Sequence, residues 1–280
     1  MLLLLCAENL LSEEIVTGDA AVTADQEATG YEAWHVANAR RYLGDRWQPT
    51  TANANHYVQR TFALPRAFDF VAIDRESNHR GYPYSLTHSG DGFTTISTPW
   101  SLTIPTVPGG APAGAVGCVT DEGAWLKTFP TEIARGIRLN SLAMGAGLVP
   151  QLTGVWIGKS WQPTVGVVEE HADDERWRVQ TRSSLSAAGW RGRTRPSKAR
   201  AGTLVLYLTT VQDVDMLRYH IGLMMAGHPA WLVFDRDNGG RFARLIWLPD
   251  DVDLDLGQKF TLPERRRFEI PFVEEQPSLV

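Results

Sequence analysis

The chain is poor in cysteine, in positive charge and in long apolar runs. Its 280 residues include two cysteines, too few for a disulfide-rich scaffold or a four-cysteine metal or iron–sulfur site. The net charge is −5, so no overall positive field attracts nucleic acid or an anionic membrane surface. No stretch approaches the roughly 18 apolar residues of a membrane-spanning helix. We therefore expect neither a nucleic-acid partner nor membrane insertion.

The sequence signatures of common enzymes are also missing. There is no Gly-x-Ser-x-Gly elbow, no Walker-type phosphate loop, no His-Glu-x-x-His and no Gly-x-Gly-x-x-Gly between a strand and a helix. The seven histidines are scattered, and none pairs with a carboxylate at metal-ligand spacing. The acidic run 250–255 lacks the central glycine and distal glutamate of a calcium loop. We expect a protein that is not an enzyme and has no cofactor and no metal.

What the chain does contain is typical of a folded, mainly β protein. Apolar residues make up 43% and charged residues 21%, and the length corresponds to two domains at about 150 residues each. Short apolar or alternating runs recur between turn signals, as at 56–62, 68–73 and 154–158. The opening run 1–6 lacks the basic flank of a signal peptide, so it is interpreted as a first strand.

The chain divides near residue 160 into two predicted domains. Residues 1–160 are predicted to form a β-sandwich, with a long Pro- and Gly-rich loop at 101–117. Residues 161–280 are predicted to form a smaller β-rich domain with one helix near 211–226. In that segment apolar residues recur at three- and four-residue spacing, Thr210 can cap the start, and Gly227 can follow the end.

Several short motifs follow one another in the first domain, at 37–47, 70–81, 85–92, 133–139 and 151–158. In content and order they resemble the discoidin family, also called the coagulation-factor 5/8 type C or galactose-binding-like fold, and 151–158 resembles its last strand. The resemblance implies a jelly-roll β-sandwich. The chain departs from the family at Gly136, where an aromatic residue is usual.

The discoidin resemblance implies a ligand site in loops at one end of the sandwich. Its predicted residues are Trp47, Asn78, His79 and Arg80, because an aromatic face can stack on a sugar while amide and guanidinium groups supply hydrogen bonds. The alternative is structural: Trp47 fills the core, and Asn78 and His79 satisfy backbone groups in a turn.

The whole chain also resembles minor tail and tail-tip proteins of long-tailed phages, on the Asn-Leu-Leu opening at 9–11 and the Gly-His-Pro-Ala-Trp segment at 227–231. This implies a virion protein, made in the host cytoplasm, whose homo-oligomeric ring joins the tail tube to the hub or fibres. The alternative function is a carbohydrate-binding adhesion module that contacts host surface polysaccharide.

A closed ring needs two different complementary patches on each subunit. The basic residues Arg191, Arg193 and Arg195 form one predicted subunit interface, and the acidic stretch 169–175 is its predicted partner.

Overall fold

In the computed structural model, the described part of the chain forms two seven-stranded antiparallel sheets, a two-stranded hairpin, one α-helix and one short 3-10 helix. The structure describes residues 4–15, 17–37, 46–79, 81–97, 100–103, 118–119, 124–145, 147–164, 171–180, 183–185, 191–193, 197–233, 243–249, 259–262 and 265–275. The strands are β1 (Leu4–Cys6), β2 (Thr23–Ala24), β3 (His56–Ile73), β4 (Pro83–Ser89), β5 (Trp100–Thr103), β6 (Cys118–Val119), β7 (Trp125–Ser141), β8 (Val155–Gly158), β9 (His171–Gln180), β10 (Ser183–Leu185), β11 (Arg191–Arg193), β12 (Ser197–Leu208), β13 (Ala230–Val233), β14 (Arg244–Trp247), β15 (Lys259–Leu262) and β16 (Arg265–Glu275).

The first sheet is built on two long paired strands, β3 and β7. Their register is interrupted between Thr61 and Arg66, and the two halves of the pair have different neighbours. Strands β2, β4 and β5 extend one half, while β6 and β8 flank the other. Buried side chains of both halves, such as Val58 and Trp125, meet in one apolar cluster. The halves therefore form the two layers of a sandwich.

The second sheet has the strand order β1-β13-β14-β16-β12-β9, with β15 on β16. Strand β1 pairs with β13 from Leu4↔Val233 to Cys6↔Trp231. On its other side, Leu5 and Trp161 exchange two backbone hydrogen bonds of 2.9 and 2.8 Å. The first strand thus lies in the second sheet, outside the sandwich in which the division at residue 160 places it. The boundary at 160 itself stays a prediction.

The two sheets meet face to face, and the strands between the cores are buried on both sides. In β3, Val71 faces the sandwich core, while Phe70 belongs to a separate cluster shared with the second sheet. In that shared cluster Trp156 and Trp231 pack edge to face, with ring centroids 5.8 Å apart. Continuous apolar runs at 70–73 and 230–233 follow from this double burial, since each face needs its own apolar side chains.

The α-helix α1 (Val211–Met225) covers the outer face of the second sheet. The Thr210 hydroxyl accepts a hydrogen bond from the Asp213 N–H at 3.1 Å, which caps the start. The helix ends at Ala226, and Gly227 follows with φ +92°. The buried residues that pack on the sheet follow the predicted spacing: Val214, Leu217, Ile221 and Met224.

The predicted fold class, a mainly β chain with a sandwich and one helix, is confirmed. The strands predicted at 133–139 and 154–158 lie in β7 and β8. The predicted loop 101–117 needs correction, since residues 101–103 pair with β4 as part of β5. Within the described residues, no helix is both long enough and apolar enough to cross a membrane.

Candidate functional site

The structure places the predicted sugar-stacking residue Trp47 inside the core. Its side chain is 0% exposed, and the indole Nε1 donates to the Gln26 carbonyl at 3.0 Å. Its backbone also forms a two-way bridge with Leu152. A buried indole has no free face for a sugar ring, so the structural alternative for Trp47 replaces the predicted binding role. His79 is likewise 0% exposed.

Of the other predicted site residues, Asn78 is described and Arg80 is not. The Asn78 amide is used internally: Nδ2 donates to the Val149 carbonyl at 2.8 Å, and Oδ1 accepts from the Gln151 N–H at 2.7 Å. Arg80 lies outside the described residues.

The predicted interface residues are described only in part. Arg191 and Arg193 lie in β11, which pairs with β10 as a separate hairpin. Arg195 lies outside the described residues, as do 169 and 170 of the acidic stretch. The predicted interface therefore stays a prediction.

A different surface, formed by the long segment between β1 and β2, offers a pocket. Asn9 fixes the segment to the sandwich by donating to the Val155 carbonyl at 2.9 Å. Arg60 of β3, 1% exposed, donates to the carbonyls of Leu10, Ser12 and Ala20 at 2.7 to 3.0 Å. A buried guanidinium that satisfies three carbonyls holds a loop without regular structure in one conformation.

The pocket held in this way has a volume of about 200 Å³. It is lined by Leu11, Ser12, Glu13, Glu14, Val22, Trp34 and Ala37. Trp34 belongs to the short 3-10 helix η1 (Ala33–Ala37), and its side chain is 48% exposed. The His35 ring stacks on the indole with centroids 3.8 Å apart and is itself held by Glu32 at 3.1 Å. His35 and Glu32 therefore hold the exposed indole in position.

Two carboxylates stand at the rim of the Trp34 pocket. Glu13 Oε1 accepts a hydrogen bond from the Val22 N–H at 3.3 Å. The Glu14 side chain is 64% exposed, and its carboxylate lies 3.9 Å from His228 Nε2. Such a rim offers acceptors to ligand O–H or N–H groups.

A second, larger cleft of about 440 Å³ opens where the two sheets meet. Its charged pair is Asp69 and Lys159, which bond to each other and are further fixed by the Ser160 N–H, 2.7 Å from Asp69, and by the Thr131 hydroxyl, 2.6 Å from Lys159. The opposite charges satisfy each other, and the pair joins the sandwich to the linker that enters the second sheet. We assign this cleft a role in the junction.

Sequence reasoning missed Trp34, Glu13 and Glu14. Trp34 and Trp47 both stand among polar neighbours in the sequence, at 32–35 and 45–48, so local pattern did not distinguish the exposed indole from the buried one.

Comparison with known proteins gives similarities of the fold only. No protein-family model matches the chain, and no curated protein matches it. Among solved structures, chitosan-binding module 1 of a chitosanase/glucanase from Paenibacillus sp. IK-5 is 16% identical, with a TM-score of 0.39 over 54% of this chain and 98% of that one.

Two further solved structures give comparable values. A CBM32 module from a family 31 glycoside hydrolase of Clostridium perfringens is 11% identical, with a TM-score of 0.37 over 49% of this chain and 90% of its own. A GH29 fucosidase from Ruminococcus gnavus is 16% identical, with a TM-score of 0.40 over 55% of this chain and 27% of the enzyme. Similarities of this size establish no shared function.

Proposed function

We propose that this protein binds a polysaccharide through the Trp34 pocket and does not cleave it. The observation that carries the proposal is the exposure of Trp34. Trp34 is 48% exposed, whereas five other tryptophans are at most 5% exposed: Trp47, Trp125, Trp156, Trp161 and Trp231. Leaving so large an apolar surface in water forgoes about 1.5–3 kcal/mol of burial free energy, which a ligand can recover on binding.

The chemistry of the pocket suits a sugar ring. A pyranose has an apolar C–H face, which stacks on an indole, and a rim of hydroxyl groups, which need acceptors. Glu13 and Glu14 supply carboxylate acceptors beside the indole. Because Arg60 and His35 already hold the loop and the ring, little conformational entropy is lost when a ligand binds.

The test is the affinity of the purified chain for a panel of bacterial surface polysaccharides, measured by affinity electrophoresis and then by titration calorimetry. Trp34→Ala should weaken binding at least about fivefold, since stacking and burial of an aromatic ring contribute about 1 kcal/mol or more. Trp34→Phe keeps an aromatic ring and should retain most of the affinity. Glu14→Gln keeps the shape but weakens the acceptor, and a severalfold loss is expected.

The matched control is Leu148→Ala, which removes another exposed apolar side chain, 40% exposed, from outside the pocket. It should leave affinity unchanged. Equal binding by Trp34→Ala and the wild type would reject the site. Release of new reducing ends from a bound polysaccharide would reject the non-enzymatic part of the proposal.

We propose a second function, assembly into a ring at the tip of a phage tail, the role that the sequence resemblance implies. The observation that favours it is the apolar cluster shared by the two sheets, which includes Phe70, Trp156 and Trp231. An apolar interface of this kind resists relative domain motion, whereas a binding module on a flexible linker needs no such interface.

The assembly proposal is tested by light scattering of the purified chain across a concentration series. A closed oligomer with a fixed number of subunits is expected. Arg191→Glu with Arg193→Glu should then dissociate it while the monomer stays folded. A monomer at every concentration would exclude the ring, and would leave the glycan-binding proposal standing.

A further inference from the structure

The guanidinium of one arginine lies against two aromatic rings on the outer face of the sandwich. The guanidinium carbon of Arg138, in β7, lies 4.2 Å from the ring centroid of Tyr57 and 4.3 Å from that of Phe93. Its Nε donates to Gln59 Oε1 at 2.8 Å. The two rings fix the plane of the guanidinium, and the amide fixes its rotation.

The two terminal nitrogens of the Arg138 guanidinium are available to a ligand. Among the described residues, the terminal nitrogens of Arg138 have no hydrogen-bond or ion-pair partner, although Nε has one. The Arg138 residue is partly exposed to solvent. These two N–H groups form the fork that binds a carboxylate with two parallel hydrogen bonds.

The loop after β4 holds Phe93 in a strained backbone conformation, which places its ring beside Arg138. Phe93 has φ +74°, a left-handed conformation that costs a residue with a side chain about 1 kcal/mol or more. The Ser89 hydroxyl accepts from the Phe93 N–H at 2.8 Å, and Asp91 ties Ser89 to Thr95 through bonds of 2.6 Å. Those hydrogen bonds hold Phe93 in place over the sheet.

Gly136 provides the space for the Phe93 ring. A Cβ at this position would lie 2.7 Å from the ring, closer than side chains pack. Glycine in the middle of a strand lowers stability, so its presence requires a reason. Phe93, from the loop after β4, fills the space above Gly136 and also covers Arg138.

Among the residues that the structure describes, none of the direct sheet neighbours of Arg138 carries an opposite charge. Its cross-strand neighbours are Gln59 and Thr87, and its neighbours along β7 on the same face are Gly136 and Asn140. The Asn140 Nδ2 bonds to Ser85 and Thr87, which leaves Oδ1 as an acceptor, and Gln59 Nε2 remains as a donor. A single fixed cation is thus surrounded by neutral donors and acceptors.

We propose that this face binds the carboxylate of an acidic sugar, a uronate residue of a polysaccharide. The Arg138 fork takes the carboxylate, while the amides of Gln59 and Asn140 take neighbouring ring hydroxyls. An inorganic anion would need only the arginine, whereas the neutral amides on both sides suit a ligand that carries hydroxyls beside its charge. The site shares no residue with the Trp34 pocket and does not depend on it.

The test compares an oligogalacturonate with its fully methyl-esterified form, each titrated into the full chain by calorimetry. The ester keeps the hydroxyls and removes the charge. The acid form should bind at least about tenfold more tightly, and its affinity should fall as salt is raised. Arg138→Lys keeps the charge but loses the planar fork, and should lose at least about tenfold in affinity for the acid form.

The variant Phe93→Gly tests whether a loss of affinity can occur without a loss of stability. Glycine adopts φ +74° without strain, so the thermal midpoint should hold, while the affinity for the acid form should fall severalfold because one ring no longer fixes Arg138. Trp34→Ala should leave uronate binding unchanged, which distinguishes failure here from failure of the Trp34 pocket. Equal binding of acid and ester, an unaffected Arg138→Lys variant, or binding of poly-glutamate in place of the uronate would each overturn the proposal.

Discussion

Stability at mildly acidic pH should depend on one buried histidine, His220 of α1. Its side chain is 1% exposed and stacks near Trp161, with ring centroids 6.2 Å apart. Nδ1 accepts the Ala7 N–H at 3.3 Å, so the folded protein requires the neutral ring with its proton on Nε2. Protonation would put a donor against the Ala7 donor and a charge in an apolar core.

The structure sets the size and direction of the effect. Burial lowers the pKa of His220 from 6.5 to about 4. Between these values the unfolded chain binds a proton that the folded chain does not, so stability falls as pH drops from 6.5 to 4 and levels off below. At about 1.4 kcal/mol per pKa unit, the loss is on the order of 3 kcal/mol.

The assay is urea unfolding at several pH values between 7 and 4, for the wild type and for His220→Asn. Asparagine Oδ1 replaces Nδ1 as the acceptor for Ala7 and does not titrate. Burial raises the pKa of Glu8, so this group makes the folded protein more stable as the pH falls, opposite to His220. Glu8 is present in both proteins, so its effect cancels when the free energy of unfolding of the variant is subtracted from that of the wild type. The wild type should lose about 3 kcal/mol more than the variant. Parallel curves would refute the reasoning.

Further predictions concern the packing and the loops. Gly158→Ala should lower the free energy of unfolding by about 2 kcal/mol or more, because the new Cβ would lie 2.0 Å from the Glu8 carbonyl oxygen. Gly222→Ala places its Cβ in open space on the helix and should raise the free energy of unfolding by about 1 kcal/mol. Arg60→Met should cost about 3 kcal/mol in urea unfolding and also weaken glycan binding, since three buried carbonyls lose their donor; unchanged binding would show that Arg60 does not shape the pocket. Thr210→Ala should cost about 1 kcal/mol through loss of the helix cap, and an unchanged thermal midpoint would contradict this.

Local features of this fold were predictable because they depend on neighbours in the sequence. The helix followed from apolar spacing and from Thr210 and Gly227, and the structure has it at Val211–Met225. Short apolar and alternating runs predicted β8 and parts of β3 for the same reason.

The candidate sites were not predictable, because they depend on contacts between residues far apart in the sequence. Whether a tryptophan is buried in the core or exposed to a ligand depends on which distant segments pack over it. The residues next to it in the sequence do not carry that information. Trp47 is covered by Gln26 and Leu152, while Trp34 is left half in water.

The sequence by itself determined the β class and the helix, since propensity and periodicity act over a few residues. The tertiary structure alone decided that β1 joins the second sheet, since that pairing joins residues over 220 positions apart. It also decided that Gly136 makes room for Phe93 and that Tyr57 and Phe93 enclose Arg138. These arrangements come from strand register and loop closure, which bring together groups that no local pattern relates.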